Sequence, residues 1–172
     1  GIEMVLNGTI INQNGWVWKL GMNLTHYKNK VTELPLKDMP QSGVNKLQVG
    51  RSVYDFYMKE WAGVDPDNGN PLWYMDEKDA NDNLTGKRVT TSDYASASYY
   101  YVNKSSLPKV YGGFNTSLSW KGFDLSAIFA YSIGGYIYNR DITMILHNGS
   151  LEGRDWSTEI LKRWTPENRY TD

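Results

Sequence analysis

The chain has no cysteine, so no disulfide staples it and no thiolate can act as nucleophile or metal ligand. It has almost no net charge: 18 Lys and Arg stand against 19 Asp and Glu, without the basic excess of a nucleic-acid binder, so no nucleic-acid partner is expected. It lacks any apolar run near the roughly 20 residues of a membrane-spanning helix. That excludes an inner-membrane helical protein but leaves open a β-barrel, which is apolar only at every second position. The N-terminal Gly1-Ile2-Glu3-Met4 has neither the basic nor the apolar stretch of a signal peptide, as expected of a mature or truncated chain. Histidine is scarce: His26 falls in a strand pattern and His147 in a loop, with no pair at zinc-ligand spacing and no nucleophile elbow. No metal, cofactor or catalytic residue is therefore expected.

Aromatic side chains are what the sequence has in quantity. Seven Trp and 13 Tyr raise the aromatic share to 14 %, while mean hydropathy stays below zero. Soluble lectin-like β-proteins and outer-membrane barrels share this profile. The triplets Asn7-Gly8-Thr9, Asn23-Leu24-Thr25 and Asn83-Leu84-Thr85 match a glycosylation pattern, but an Asn- and Thr-rich β-chain produces them by chance.

Side-chain period identifies the elements. From Phe114 to Trp120 the bulky residues share one parity, and Asn115, Ser117 and Ser119 the other. After Lys121-Gly122, Phe123, Leu125, Ala127, Phe129 and Tyr131 alternate with Asp124, Ser126, Ile128, Ala130 and Ser132. A period of two is a strand pattern, because successive Cβ atoms point to opposite faces. The N-terminal segment repeats the design. Met4, Leu6 and Ile10 precede a turn at Asn14-Gly15, and Trp16, Trp18, Leu20, Met22 and Leu24 follow it on one face. A third, less regular pair runs from Val53 to Trp61 and from Pro71 to Met75 around Gly63-Val64-Asp65-Pro66-Asp67-Asn68-Gly69-Asn70. The expected hairpins thus lie near 3–28, 53–76 and 110–134, and long polar connections near 33–50, 76–108 and 135–172. One short helix is expected over 155–164, capped by Asp155 and ended by Thr165-Pro166, with Trp156, Ile160 and Trp164 turned inward. Short turns alternating with long loops suit an outer-membrane barrel, with turns on the periplasmic side and loops outside. Periodicity alone also admits a soluble β-sandwich with decorated edges.

No constellation of catalytic groups emerges. Asp65-Pro66-Asp67-Asn68-Gly69 superficially suggests a calcium loop, but an EF-hand wants Gly sixth and Glu twelfth, whereas here Gly69 is fifth and Asp76 is twelfth, and a tight turn is the better reading. Asp76-Glu77, in a polar stretch, reads as solvated surface rather than a glycosidase pair. The aromatic residues Trp73, Tyr74, Tyr99, Tyr100 and Tyr101 are the candidate substrate-binding residues, since flat rings stack on sugar faces. Trp16 and Trp18, beside a turn on the apolar parity, fit an interfacial girdle.

Three blocks carry a family resemblance. The first is Leu47-Gln48-Val49-Gly50-Arg51-Ser52, followed by Trp61-Ala62-Gly63-Val64-Asp65-Pro66-Asp67-Asn68-Gly69-Asn70-Pro71-Leu72-Trp73-Tyr74. The second is Leu107-Pro108-Lys109-Val110-Tyr111-Gly112-Gly113-Phe114, continuing through Trp120-Lys121-Gly122-Phe123 to Gly134-Gly135. The third is Arg163-Trp164-Thr165-Pro166-Glu167-Asn168. In this order and spacing they resemble the SusC/RagA type of TonB-dependent outer-membrane receptor. The resemblance implies an all-β antiparallel meander of about six strands, cut from a barrel of about 22. It also implies that the chain lacks the plug and the final strands, and stops at Arg169-Tyr170-Thr171-Asp172 inside an extracellular loop.

The implied function is import of oligosaccharides or other large nutrients, glycan or peptide, across the outer membrane of a Gram-negative cell. The implied partners are a SusD-like surface lipoprotein acting as a lid, TonB working through the plug, and outer-membrane lipid. The loop holding Trp156, Lys162, Arg163 and Trp164 is the candidate contact for the lid. A soluble carbohydrate-binding β-module is the alternative.

Overall fold

The computed structural model describes residues 1–36, 39–147 and 149–171; Lys37, Asp38, Asn148 and Asp172 lie outside the described residues. In chain order the strands are β1 (Ile2–Gln13), β2 (Trp16–His26), β3 (Gln41–Ser42), β4 (Asn45–Lys46), β5 (Asp55–Lys59), β6 (Trp61–Val64), β7 (Pro71–Lys78), β8 (Leu84–Thr91), β9 (Tyr99–Ser105), β10 (Val110–Trp120) and β11 (Phe123–Ile133). One α-helix, α1, covers Arg140–Ile145, and a 3-10 turn covers Thr158–Lys162. The fold is all-β and antiparallel, as the sequence led us to expect. The chain divides into two units: Gly1–Asp55 with Asn103–Tyr136, and Phe56–Val102 with the residues from Ile137 onward.

The first unit is built on the four-stranded sheet β1-β2-β10-β11. Its two hairpins close through Asn14-Gly15 (φ 52° and 79°) and Lys121-Gly122 (φ 45° and 87°). Positive φ at both central residues gives the mirror-image turn whose twist matches the flanking strands. Trp16 pairs with Trp120, so both tight turns lie at one end of the sheet. At the other end Thr25 pairs with Tyr111, and Val110 with Ile133. The residues between His26 and Val110, and those after Ile133, therefore both leave from that second end.

The register sorts side chains largely by chemistry. One rung reads Leu6, Met22, Phe114 and Phe129, with the two Phe rings stacked 4.4 Å apart. The same face carries Met4, Leu24 and Tyr131 on one side of that rung. On its other side lie Leu20 and Ala127, then Trp18, Leu118 and Leu125, then Trp16, Trp120 and Phe123. The opposite face carries Asn7, Asn23, Asn115, Lys19, Ser117, Ser126, Ser119 and Asp124, interrupted by Val5, Val17, Tyr111 and Ile128.

Two glycines are dictated by close approach. A Cβ on Gly112 would stand 2.1 Å from the Asn23 carbonyl oxygen. Tyr131 instead lies across Gly112 and donates its hydroxyl to that same oxygen at 3.0 Å. At Gly21, the Asn7 and Asn115 side chains converge to within 2.6 Å of where a Cβ would be.

Among the described residues of this unit, no second layer covers the apolar face. Phe123 is 76 % exposed, Leu125 69 % and Leu6 67 %, whereas the buried apolar residues among those described are Phe56 and Ala97 of the other unit. A sandwich would bury this face in its core.

The second unit holds the sheet β6-β7-β8 and the pairing of β5 with β9. Here the structure differs from expectation in detail. The stretch 76–108, read from sequence as a connection, carries β8 and β9, and 33–50 in the first unit carries the small β3-β4 hairpin. The middle hairpin, β6-β7, belongs to a sheet separate from the one that joins the other two.

The expected helix over 155–164 is a 3-10 turn of five residues. Ser157 caps it, not Asp155. It ends at Arg163, whose extended ψ of 162° breaks the helical run before Trp164. The side chains of Asn168 and Thr171 take the Lys162 carbonyl that a longer helix would have used. The α-helix lies earlier, where the Asn139 side chain accepts from the backbone N–H groups of Asp141 (3.1 Å) and Ile142 (3.3 Å).

Candidate functional site

Strand parity divides the five sequence-predicted aromatic residues of the second unit into two groups. The odd-numbered residues form a ladder. Trp73 on β7 meets Trp61 edge-on at 5.7 Å and Tyr94 at 5.1 Å. The Lys59 ammonium lies 4.1 Å from the Tyr94 ring centre and 5.2 Å from that of Tyr99. Its donors go to the backbone carbonyls of Tyr94 and Ala95. Tyr57 stacks on Tyr99 at 5.6 Å and tilts against Tyr101 at 4.8 Å. Trp73, Tyr99 and Tyr101 thus belong to one continuous run of rings with Lys59 inserted. A cation held between ring faces is attracted by both quadrupoles.

The even-numbered residues form a charged network. The Arg88 guanidinium lies over the rings of Tyr74 (4.2 Å) and Tyr100 (4.1 Å) and bonds the Glu60 carboxylate at 2.7 Å. Tyr100 donates its hydroxyl to Asp76 at 2.9 Å. The Glu60 hydrogen bond holds the Arg88 pKa above its already high ordinary value, so the cation is permanent. Burial, then the bond to Asp76, pushes the Tyr100 phenol up from the usual tyrosine range, and burial does the same for Tyr94. Tyr74 and Tyr100 are therefore engaged by protein groups on the Arg88 side. Asp76, read from sequence as solvated surface, accepts a bond from a tyrosine. Sequence reasoning missed Arg88, Glu60, Lys59 and Tyr94. The signal was present as the shared even parity of Glu60, Tyr74, Asp76, Arg88 and Tyr100, but it becomes readable only once strand pairing is known.

The loop candidates fall into distinct places. Trp164 is half-buried. Its indole N–H donates to the Pro66 carbonyl at 3.2 Å, and its ring lies where a Cβ on Gly69 would come within 2.6 Å. Trp164 thus seats on the β6-β7 turn, which Asp65 organises by accepting from Asp67 N and the Asn68 amide. Trp156 is about half exposed and meets the buried His147 edge-on at 5.4 Å. Lys162 pairs with Glu159 at 2.6 Å on the surface. Arg163 is exposed and lines a cavity of about 970 Å³ together with Trp61, Trp73, Ile142, Ile160 and Trp164.

The sheet of the first unit supplies the other candidate surface. Trp16 and Trp120 stack at 4.8 Å at its turn end, and the Trp18 indole donates to Thr116 at 2.8 Å. Tryptophans that keep a polar partner at the edge of an apolar band are the girdle chemistry of membrane barrels.

Comparison with known proteins decides between the two architectures. The structure superposes on the RagAB peptide transporter with a TM-score of 0.81 and 31 % sequence identity, covering 99 % of this chain and 19 % of that one. The chain is a barrel segment of a SusC/RagA-type TonB-dependent receptor. The RagAB importer in its closed-closed state gives the same picture, at TM-score 0.80 and 32 % identity. Two curated relatives from Formosa agariphila agree: TonB-dependent receptor P3 is 24 % identical and TonB-dependent receptor P26 28 %, each over the whole of this chain. The chain spans 18 % of the length of each of those two proteins. No family model matches it. Within the receptor segment, two of the motif blocks meet in space: Trp164 of the third closes on Pro66 and Gly69 of the first.

Proposed function

We propose that this segment is part of the wall and outer loops of an outer-membrane importer for large nutrients, and that its role is gated passage rather than catalysis. The observation that carries the proposal is the two-faced sheet. Strands of 11 and 12 residues match the roughly 9–11 that cross a bilayer at a tilt. Their apolar face is uncovered and their other face is polar, which is the division a barrel wall needs between hydrocarbon and a hydrated lumen. On this reading the tight turns face the periplasm. The excursions from the opposite end of the sheet are extracellular, and a SusD-like lipoprotein covers them. TonB supplies energy through the plug of the complete receptor. Among large nutrients, the likeness to a peptide transporter favours peptide over the oligosaccharide first expected from the aromatic loops.

The test is site-directed spin labelling of the full-length receptor in a bilayer. A label at Phe129 is expected to be relaxed by a lipid-soluble agent, and one at Ser126 by a water-soluble agent. Both labels responding only to the water-soluble agent would remove the membrane assignment and return the chain to the soluble binding modules.

A further inference from the structure

We infer that the aromatic cavity of the second unit is a binding site for a peptide ending in a large apolar residue, with the terminal carboxylate on Arg163. This rests on the reading of the chain as an importer segment and adds a place and a chemistry to it.

The cavity of about 970 Å³ is walled mainly by Trp61, Trp73, Ile142, Ile160 and Trp164, so most of its lining is rings and branched aliphatics, with a minority of polar groups. That volume falls within the several hundred to a thousand Å³ typical of ligand pockets, whose apolar linings carry a few convergent polar groups. A second cavity of about 540 Å³ shares Leu146, Ile160, Arg163 and Thr171 with the first, and adds Glu159, Lys162 and Tyr170. The two cavities therefore share a wall, charged side chains line the second, and Arg163 belongs to both.

Charge identifies the occupant. The carboxylates nearest in sequence are Glu159 and Glu167; Glu159 is already taken by Lys162 at 2.6 Å, and Glu167 makes no ion pair with Arg163. Among the described residues the Arg163 guanidinium has no carboxylate partner. A planar fork of donors without an anion, beside an apolar chamber, is matched by a carboxylate attached to an apolar body. The backbone that carries Arg163 is fixed. Asn168 donates to the carbonyls of Lys162 (3.1 Å) and Arg163 (3.3 Å), Thr171 donates to Lys162 at 2.7 Å, and the next residue, Trp164, is seated on the β6-β7 turn. Such anchoring lowers the cost of holding the cation in place for a ligand. A neutral sugar would fit the rings but leave the guanidinium unanswered.

The experiment is calorimetric titration of the full-length receptor in lipid nanodiscs with the tripeptide Ala-Ala-Phe, its C-terminal amide, and Ala-Ala-Ala. The free acid should bind at least tenfold more tightly than either of the others. Arg163→Gln should abolish the difference between acid and amide, Arg163→Lys should retain part of it, and Thr143→Trp, which fills the chamber, should weaken acid and amide alike. Equal binding of acid and amide to the wild-type receptor, or an acid preference that survives Arg163→Gln, overturns the site. So does binding of maltoheptaose that Thr143→Trp weakens as much as it weakens the peptide. The importer reading fails separately, in the spin-label measurement, whose outcome does not depend on Arg163.

Discussion

The two units use the same alternation for different ends. In the β1-β2-β10-β11 sheet, parity separates apolar from polar side chains: Leu6, Met22, Phe114 and Phe129 on one side, Asn7, Asn115 and Lys19 on the other. In the second unit parity separates two kinds of protein contact, an aromatic ladder through Trp73, Tyr99 and Tyr101 and a charged clamp around Arg88. Strand length tells the two cases apart. The strands of the first sheet run 11 or 12 residues, long enough to cross hydrocarbon, whereas β6, β7 and β8 run four to eight. A pattern of alternating rings and polar groups is therefore not by itself a membrane signal; it becomes one when it extends over a spanning length.

The sharpest way to break this comparison is to place one charge on each face of the long sheet. Phe129 shares a rung with Leu6, Met22 and Phe114, well away from the turn end where Trp16 meets Trp120. Phe129→Arg should destabilise the full-length receptor in lipid by about 2–4 kcal/mol, the cost of a cation near the bilayer midplane. Ser126→Arg should be nearly neutral, because that face is polar. Urea unfolding of the two variants in the same vesicles measures both. Equal effects would make the faces equivalent and dissolve the distinction between the units.

A smaller effect is expected at Trp164. Trp164→Ala removes the indole hydrogen bond to Pro66 and the ring packed on Gly69, while leaving the sheet of the first unit untouched. Loss of a half-buried tryptophan contact and one hydrogen bond is worth roughly 1–3 kcal/mol, confined to the second unit. Hydrogen exchange should quicken at the amide of Gly69, which bonds the Asp65 carbonyl, and at that of Asp65, which bonds Asn70. The amides of β2 and β10 should keep their protection. Faster exchange in both units would mean that the loop cluster also supports the wall.

These features were unequally legible in the sequence. The hairpins at Asn14-Gly15 and Lys121-Gly122 were readable because a turn is local: a residue pair that accepts positive φ stands between two alternating runs. The pairing of β2 with β10 was not. It joins strands separated by the whole of β3 to β9, and no local preference encodes a contact across so long an excursion. The middle hairpin looked like a third copy of the same design for that reason. The expected 155–164 helix failed on a balance of caps. Trp156, Ile160, Leu161 and Trp164 have nearly helical spacing, but Ser157 caps later than Asp155 would, and Asn168 and Thr171 take the Lys162 carbonyl oxygen. Of the candidate site residues, Trp73, Tyr99 and Tyr101 were legible as aromatic, but not the ladder that Lys59 and Tyr94 complete. Arg163 was singled out for its loop, whereas its place on a cavity wall depends on α1 and β6.

The finest test of the comparison lies in the Arg88 clamp. Its guanidinium lies against two rings and bonds a carboxylate, three interactions that a planar, permanently charged group can make at once. A lysine ammonium can face one ring or pair with Glu60, but it has no flat surface to stack. Arg88→Lys should therefore keep the ion pair and lose most of the stacking, costing about 0.5–1 kcal/mol because the side chain is partly exposed and water screens it. The loss should appear as faster exchange of the Asp76 and Ser98 amides, which bond the Ser98 hydroxyl and the Tyr74 carbonyl. Alkali provides an independent reading. Tyr100 has its pKa raised in the folded state, so its contribution is fully present below the ordinary tyrosine value of 10.0 and is lost as pH rises through the raised value. The clamp should thus hold unchanged across neutral pH and loosen only in strong alkali. Arg88 itself pulls the other way, since its guanidinium favours the phenolate and offsets part of the rise caused by burial and Asp76. In the Arg88→Lys variant, where the cation is less confined beside the ring, the Tyr100 midpoint should therefore move further up. Ultraviolet titration of the tyrosines, compared with a Tyr100→Phe control, measures that shift. A midpoint that does not move would show that Asp76 and burial alone set the Tyr100 environment, leaving Arg88 to act only through Glu60.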